Sequence, residues 1–532
     1  MVSCMYTQKF VHSVVRSFYR ASPALITTPT SHSYSSGIAW RLYYHTTTTN
    51  FAQLNAIPTN AAPKRRSTTT TTTRRRRKRA EEAKRRAAAA AAVAAAPVEV
   101  PWTNQQLQVL KAVAEGKSVF ITGSAGTGKT ILLKRVVEVL KQLHTRKSVF
   151  VTASTGVAAC ALSGQTLHSF AGIGFGDGDR ESLLLTAKSK SSYRWKRARA
   201  LVIDEISMVD ADLFDTLEYI AREIRRKESG RPWSGLQLIV SGDFFQLPPI
   251  GNRLSLSGKE FAFEADCWDR SFDLQIELTQ VFRQSDLKLV ELLQGIRRGD
   301  NDPERLKLLQ DRTVTSEPDF SVTRLFPRKN DVSRVNKERL RSLGRETVTY
   351  TALDVGQEPW KSQLKLGITP DEVELCVGAR VMLLKNIAQW DGLVNGATGT
   401  ITGFKQRETV AIDICCSQLL PSVQFDSGPE IVILPEKWNV MEGDTVLATR
   451  KQIPLMLAWA LSIHKCQGMT LNCLNTDLSR AFGCGMVYVA LSRVRSLEGL
   501  YLSGFNPSKI KAHPKVLEFY QRLYYSQNLS SF

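Results

Sequence analysis

The sequence predicts an α/β protein of two parallel-sheet lobes in tandem, the second interrupted by a small β-barrel, with an N-terminal presequence outside the fold. Three observations predict this. A β-branched strand near residue 120 runs into a glycine-rich loop and then a helix. Apolar strands recur after it at βαβ spacing, and the helix–strand alternation restarts beyond Asp286 before giving way to short strands with Asn-Gly turns. At 532 residues the chain also exceeds what one core supports. The expected divisions are residues 101–285 for the first lobe, 286–375 with 451–532 for the second, 376–450 for the barrel, and 1–100 for the presequence and a linker.

Composition narrows the class. A hydrophobic fraction of 43% and a charged fraction of 23% suit an ordinary soluble globular protein. No uninterrupted run of about eighteen apolar residues suggests a membrane span. The nine cysteines show no C-x-x-C spacing, and even the adjacent Cys415 and Cys416 suggest neither a zinc site nor a disulfide framework. Of the net charge of +21, residues 1–100 carry +13, leaving +8 for the rest, a balance that fits phosphate-backbone affinity without demanding it.

No Asp or Glu precedes Glu81, and the first residues mix apolar and basic side chains in Phe10–Arg20. An acid-free, Arg- and Ser-rich amphipathic start is the composition of a transit peptide, which points to mitochondria. The competing reading is a basic tail in which Arg74-Arg75-Arg76-Arg77-Lys78-Arg79 serves as a nuclear address or DNA anchor. The Thr68–Thr73 tract is low complexity, and Ala80–Ala96 suits a solvated helical linker ended by Pro97.

Order is expected from Trp102. The strand Ser118–Thr122 leads into Gly123-Ser124-Ala125-Gly126-Thr127-Gly128-Lys129-Thr130 and then an apolar helix to Leu143. Strand, glycine turn and helix give the phosphate-loop motif its force. Glycines let backbone N–H groups converge on phosphate oxygens beside the positive helix end. Lys129 supplies a mobile charge to the outer phosphates, and the Thr130 hydroxyl can ligate Mg²⁺. Strands Ser148–Ala153, Leu201–Ile203 and Leu236–Val240 read as a buried parallel sheet. The second ends in Asp204-Glu205, where Asp204 is assigned to the metal and Glu205 to the general base, the alternative being a helix cap. After the third comes Gly242-Asp243-Phe244-Phe245-Gln246, with Gln246 as a γ-phosphate sensor.

Further ordered motifs carry a resemblance. They are Ala153–Ala159, His168–Gly174, Asp204-Glu205-Ile206-Ser207-Met208, Leu213–Arg225, Val281-Phe282-Arg283-Gln284, Ser462-Ile463-His464-Lys465-Cys466-Gln467-Gly468 and Tyr488–Val494. On these the chain resembles the petite-integration-frequency (Pif) family of DNA helicases, in the RecD-like branch of helicase superfamily one, from about Trp102 to Phe505. The resemblance implies two RecA-like phosphate-loop motor domains and a barrel of the Src-homology-3 type. It implies that Gln106 reads the adenine edge, although Gln105 stands where a glutamate is usual and leaves open which glutamine does so. It also implies that Gln467 and Gly468 join the ATP site, and that Arg283 and Arg493 reach the γ-phosphate from the second lobe. Each arginine in isolation reads better as a surface salt bridge, and it is the order of the motifs that favours the γ-phosphate role.

In the second lobe, helix Leu287–Arg297, strand Thr323–Phe326, helix Asp331–Leu343, a strand over Ala458–Ile463 and a helix over Ala481–Leu491 are expected. Candidates for a DNA track are His168 and Phe170 on the first lobe, and Ser462, His464, Met486, Val487, Tyr488, Ser492, Arg495 and Phe505 on the second. Stacked aromatics hold single strands without sequence preference, but Phe170 also reads as core and Tyr488 as packing its own helix. The implied activity is a monomeric motor, driven by ATP and Mg²⁺, moving 5′ to 3′ on single-stranded DNA. It would unwind duplexes, forks or RNA–DNA hybrids in organellar replication, repair or recombination. The alternative is a phosphate-loop ATPase that remodels RNA or nucleoprotein without unwinding.

Overall fold

The computed structural model describes residues 101–529 apart from 175, 177, 227–229, 250–257, 314–321, 359, 366–368, 388–392, 394, 407–418, 427, 429 and 443–444. The presequence, its basic run, the linker and Cys415-Cys416 therefore lie outside the described residues.

Six parallel strands form the first lobe: β1 (Val119–Gly123), β2 (Val149–Ala153), β3 (Gln165–Thr166), β4 (Ala200–Asp204), β5 (Gln237–Ser241) and β6 (Leu274–Leu278), in the order β3-β2-β4-β5-β1-β6. β1, β2, β4 and β5 lie where the apolar runs place them. β3 and β6 escape sequence reading because one is two residues long and the other, Leu-Gln-Ile-Glu-Leu, hides only one face. The central strands are buried on both faces, as parallel sheets require. Along β1, Phe120 enters one core with Phe150, Trp195 and Trp268, while Val119 and Ile121 enter another with Leu132 and Val136. Because β4, β5 and β1 are neighbours, the Asp204, Gly242 and phosphate-loop turns emerge side by side at the carboxyl edge.

The helix Ala211–Arg225, capped by Asp210, contains the whole Leu213–Arg225 motif. Its buried charges hold neighbouring backbone. The Asp215 carboxylate accepts from Asp266 and Cys267 N–H at 2.9 and 3.0 Å, and Arg225 donates to the Trp195 carbonyl at 2.8 Å. Burial without such partners would cost several kcal/mol, so this motif reads as architecture.

The second lobe is a four-stranded parallel sheet in the order Ala460–Ser462, Thr323–Phe326, Leu474–Asp477, Leu500–Gly504. The helix expected over Ala481–Leu491 begins only at Met486, after Gly485 in a left-handed conformation (φ 76°). An antiparallel insertion with its own core separates the first two strands in sequence. It has a five-stranded sheet ordered 430–432, 419–425, 398–406, 380–383, 455–457, a three-stranded sheet (436–442, 445–452, 353–356) and a strand pair (348–351 with 372–375). The β region thus begins near Val348, earlier than the expected 376. The reason is pairing across distance: fully buried Arg450 forks onto Asp354 at 2.7 Å and also reaches Asp371 and the Thr369 carbonyl.

The terminal helix Pro514–Leu529 departs from the expected division, which gave it to the second lobe. Val516, Phe519, Tyr520 and Leu523 bury themselves in a first-lobe core. Phe519 stacks on Phe263 with ring centroids 4.4 Å apart and meets Phe244 edge-on at 5.5 Å. Such aromatic pairs add about 0.5–1.5 kcal/mol each beyond area burial, so the chain returns to the lobe where it began.

Candidate active site

The phosphate loop joins β1 to the helix Lys129–Leu143. Its backbone is left-handed at Gly126 (φ 87°), where an added Cβ would lie 2.7 Å from the Cβ of Arg283, so glycine alone permits this approach. Lys129 Nζ donates to the carbonyls of Gly123 at 2.7 Å and Ser124 at 3.0 Å, within the loop that would cradle phosphates. Burial lowers the Lys129 pKa, opposed by the charges of Asp243, Glu205 and Asp204. Thr127 is buried and its hydroxyl donates to the Ser124 carbonyl, whereas Thr130 is exposed at the start of the helix.

Asp204 and Glu205 close β4 at the same edge. Asp204 is buried and burial raises its pKa, although the Glu205 N–H donates to it at 3.0 Å. Glu205 is held left-handed (φ 54°), an uncommon conformation for a residue with a side chain, and Ser154 Oγ donates to its carbonyl at 2.7 Å. Burial and then the Asp204 charge push the Glu205 carboxyl up to about 7. A general base near neutrality is the tuning that proton abstraction favours.

Gln246 sits beyond β5, its Nε2 donating to Asp243 Oδ2 at 3.2 Å, which turns its Oε1 outward. Gln467, from the second lobe, donates to that oxygen at 3.3 Å and to Glu205 Oε2 at 2.9 Å. Gly485, also from the second lobe, lies so close to the Gln246 carbonyl that a Cβ would come within 2.3 Å of it.

The arginines arrive differently from expectation. Arg283 belongs to the segment that follows β6 of the first lobe, not to the second lobe. The Phe282 N–H bonds the Gly126 carbonyl at 2.8 Å, and the Arg283 guanidinium reaches outward to the carbonyls of Ser492 at 3.1 Å and Gly468 at 3.3 Å. Arg493 does come from the second lobe. It is fully buried, donates to the Val489 carbonyl at 2.8 Å and Ser492 Oγ at 2.6 Å, and its charge is felt by Glu205.

Gln105 and Gln106 separate cleanly. The Gln105 amide donates to the Glu277 carbonyl at 2.8 Å and accepts from Thr279 at 3.0 Å, tying the first helix to the end of β6. Gln106 completes the capping box with Thr103, and its Nε2 lies 3.3 Å from where a Gly128 Cβ would stand. Gln106 is therefore the glutamine at the phosphate loop.

Several expected DNA contacts are core. Phe170 is fully buried between Phe150 and Trp195, at 5.0 and 4.7 Å. Met486, Val487, Ser462 and Ser492 are buried. Tyr488 is buried too, and its hydroxyl accepts from the Ala125 N–H at 2.8 Å, so it serves the phosphate loop. Sequence motifs report position along a strand or helix, not which face meets solvent, and these residues face inward. His168 and His464 are half-buried, Arg495 is exposed, and Phe505 packs against the second-lobe core while half-buried.

Sequence reasoning missed the residues beneath the site. Arg297, at the end of the helix Leu287–Arg297, donates to Asp243 Oδ1 at 2.9 Å and Glu277 Oε1 at 2.8 Å. Its guanidinium lies over the rings of Phe245 and Tyr520 at 4.6 and 4.9 Å. Burial would raise the Asp243 pKa, but the Arg297 charge overrides it and holds the carboxyl below its ordinary range. Gln294 of the same helix donates to Ser124 Oγ at 3.1 Å. No motif marks an arginine in a helix as a partner for an aspartate 54 residues earlier.

Two parallel-sheet lobes sharing one phosphate loop define a tandem RecA-like nucleotide-binding protein. Residues 102–298 match the PIF1-like helicase family, and residues 361–404 match the DNA helicase Pif1 2B domain. The chain is 41% identical over 430 residues to ATP-dependent DNA helicase PIF1 of Xenopus laevis, covering 80% of this chain and 65% of that one. Pif1 helicase from Candida albicans is 38% identical, with a TM-score of 0.63, and matches 80% of this chain and 100% of its own. Pif1 from Bacteroides in complex with ADP-AlF4 is 30% identical, with a TM-score of 0.68 over 81% of this chain and 98% of its own. Bound to ssDNA, the Bacteroides protein is 29% identical at a TM-score of 0.54 over the same shares. The chain belongs to the PIF1-like helicase family. It spans about 65% of the length of the curated relatives it matches.

Removing Arg297 leaves the Asp243 charge buried and unpaired. Arg297→Met is expected to cost about 3–5 kcal/mol. The double variant Arg297→Met/Asp243→Leu should recover much of that loss, as read from urea unfolding midpoints.

Proposed function

We propose that the chain is an ATP-driven DNA helicase that moves 5′ to 3′ on single-stranded DNA by cyclic closure of the cleft between its lobes. The observation that carries this reading is Gln467, whose one amide from the second lobe donates to both Glu205 and Gln246 of the first. Any change in what Glu205 and Gln246 hold is thereby transmitted across the cleft.

In the cycle, phosphate oxygens take up the N–H groups of the loop, and Lys129 trades its carbonyl partners for phosphate. Glu205 accepts the proton of the attacking water, which the outward oxygen of Gln246 orients. Arg283 and Arg493 neutralise the charge that develops on the transferred phosphoryl group. Asp204 and Thr130 offer the hard oxygen donors that suit Mg²⁺ and would hold it. The bound ion supplies further charge stabilisation at the phosphates. Release of product loosens the Gln467 link and lets the lobes part.

His168, His464, Arg495 and Phe505 are the side chains left for the DNA track, through phosphate attraction and stacking. The antiparallel insertion reads as a barrel of the Src-homology-3 type. Tailed duplexes, forks and RNA–DNA hybrids are the expected substrates of a monomeric motor, acting in organellar DNA replication, repair or recombination after mitochondrial import.

Glu205→Gln should lower ATP turnover by at least about 10²-fold, the low end for loss of a general base, while nucleotide binding by filter assay persists. Strand displacement should require a 5′ tail, and activity from a 3′ tail alone would reverse the proposed direction. Turnover stimulated by RNA, with no strand displaced, would favour the remodelling ATPase. Imaging the full chain beside one lacking residues 1–50 should show mitochondrial signal lost on truncation, and nuclear signal in both would refute import.

A further inference from the structure

The terminal helix Pro514–Leu529 turns one side, Val516, Phe519, Tyr520 and Leu523, into the first-lobe core. Tyr520, buried, places its hydroxyl among three groups at the root of the ATP site. It bonds Thr122 Oγ1 on β1, accepts from the Phe244 N–H at 3.3 Å, and meets Asp243 Oδ1 at 3.3 Å. Its ring stacks on Phe245 with centroids 4.5 Å apart, and Arg297 lies over both rings. Burial and the Asp243 charge hold its hydroxyl protonated, which suits a donor to a carboxylate.

Asp243 divides its two oxygens. Oδ1 takes Tyr520, Arg297 and the Phe245 N–H, at 3.3, 2.9 and 3.3 Å. Oδ2 takes the Gln246 amide at 3.2 Å. A side-chain amide can point either way, and only a fixed acceptor on its nitrogen side sets which end faces outward. Fixing Oδ1 fixes the plane of the carboxylate, hence the donor end of Gln246, hence the outward Oε1 that meets Gln467. A hydrogen-bonded path therefore runs from Tyr520 through Asp243, Gln246 and Gln467 to Glu205.

We infer that Tyr520 is a positioning residue for nucleotide hydrolysis, through which the terminal helix holds Gln246 in its reactive orientation. The inference rests on the ATPase reading above. The helix reaches this place after the second-lobe strand Leu500–Gly504, so the chain crosses the cleft a second time to put it there. On the crossing, the Lys511 carbonyl accepts from the Gly485 N–H at 3.2 Å, beside the point where Gly485 meets Gln246. Lys515 then anchors the helix to Glu264 at 2.6 Å. The terminal helix is thus a working part of the engine.

Three single variants of the full chain test this, each measured for DNA-stimulated ATP turnover and thermal midpoint. Tyr520→Phe keeps the stacked ring and removes the hydroxyl. Its kcat should fall about tenfold, the worth of one hydrogen bond in a transition state, with KM for ATP within about twofold of the parent. Phe519→Leu should lower the midpoint and leave kcat near the parent value. Tyr524→Phe, at an exposed ring on the same helix, should change neither. Parental kcat in Tyr520→Phe would overturn the inference, and so would an equal loss of kcat in Phe519→Leu, since the helix would then act through stability alone. A parent chain without ATP turnover would sink the ATPase reading, and this inference with it.

Discussion

Asp243 keeps its charge with no exposure to water, and the guanidinium of Arg297 makes that tenable. A buried carboxylate stays ionised only beside an opposite charge and with its lone pairs satisfied. Here one oxygen takes the arginine and the other takes Gln246. Arg297 rides on a helix of the second lobe and Asp243 follows a strand of the first, so the pair joins the lobes directly beneath the nucleotide site. The approach of Gly485 to Gln246, the Gln294 bond to the phosphate loop and the stacking of Tyr520 all depend on that junction.

This arrangement explains why the site is assembled from both lobes while its phosphate loop and carboxylates stay on one. Lys129, Asp204, Glu205 and Gln246 stand on adjacent turns of a single sheet, where rigid strands hold them. What the second lobe contributes is the charge of Arg493 and contact with those groups. Gln467 reaches Glu205 and Gln246, and Tyr488 reaches the Ala125 N–H. Arg283 shows the same logic from the other side: it is rooted beside the phosphate loop and donates to second-lobe carbonyls. A hydrogen-bond set split in this way ties the geometry of the site to the arrangement of the lobes.

The legible part of the site was the part encoded by local geometry. The phosphate loop, the Asp204-Glu205 pair and Gln246 each sit at the end of an apolar strand, so strand position and residue chemistry together place them. Among the DNA candidates, those that turn out buried include residues whose type serves two purposes. Phe170 has the chemistry to stack on a base, but Phe150 and Trp195 enclose it; Tyr488 has the same chemistry and spends its hydroxyl on the phosphate loop. The β insertion was recognised by its turns, but its first strands were not, because Asp354 and Asp371 find their partner Arg450 only across 96 and 79 residues.

By itself the sequence determined the phosphate loop and the strands that feed it, because hydrophobic periodicity and glycine spacing are properties of neighbouring residues. Its ordered motifs carried the resemblance to the family. Tertiary structure alone decided that Pro514–Leu529 returns to the first lobe, that Gln106 and not Gln105 faces the loop, and that Arg297 neutralises Asp243. Those outcomes turn on which distant surfaces exclude water together. No local pattern records that, since an arginine or a tyrosine on a helix looks the same whether it meets solvent or a buried carboxylate.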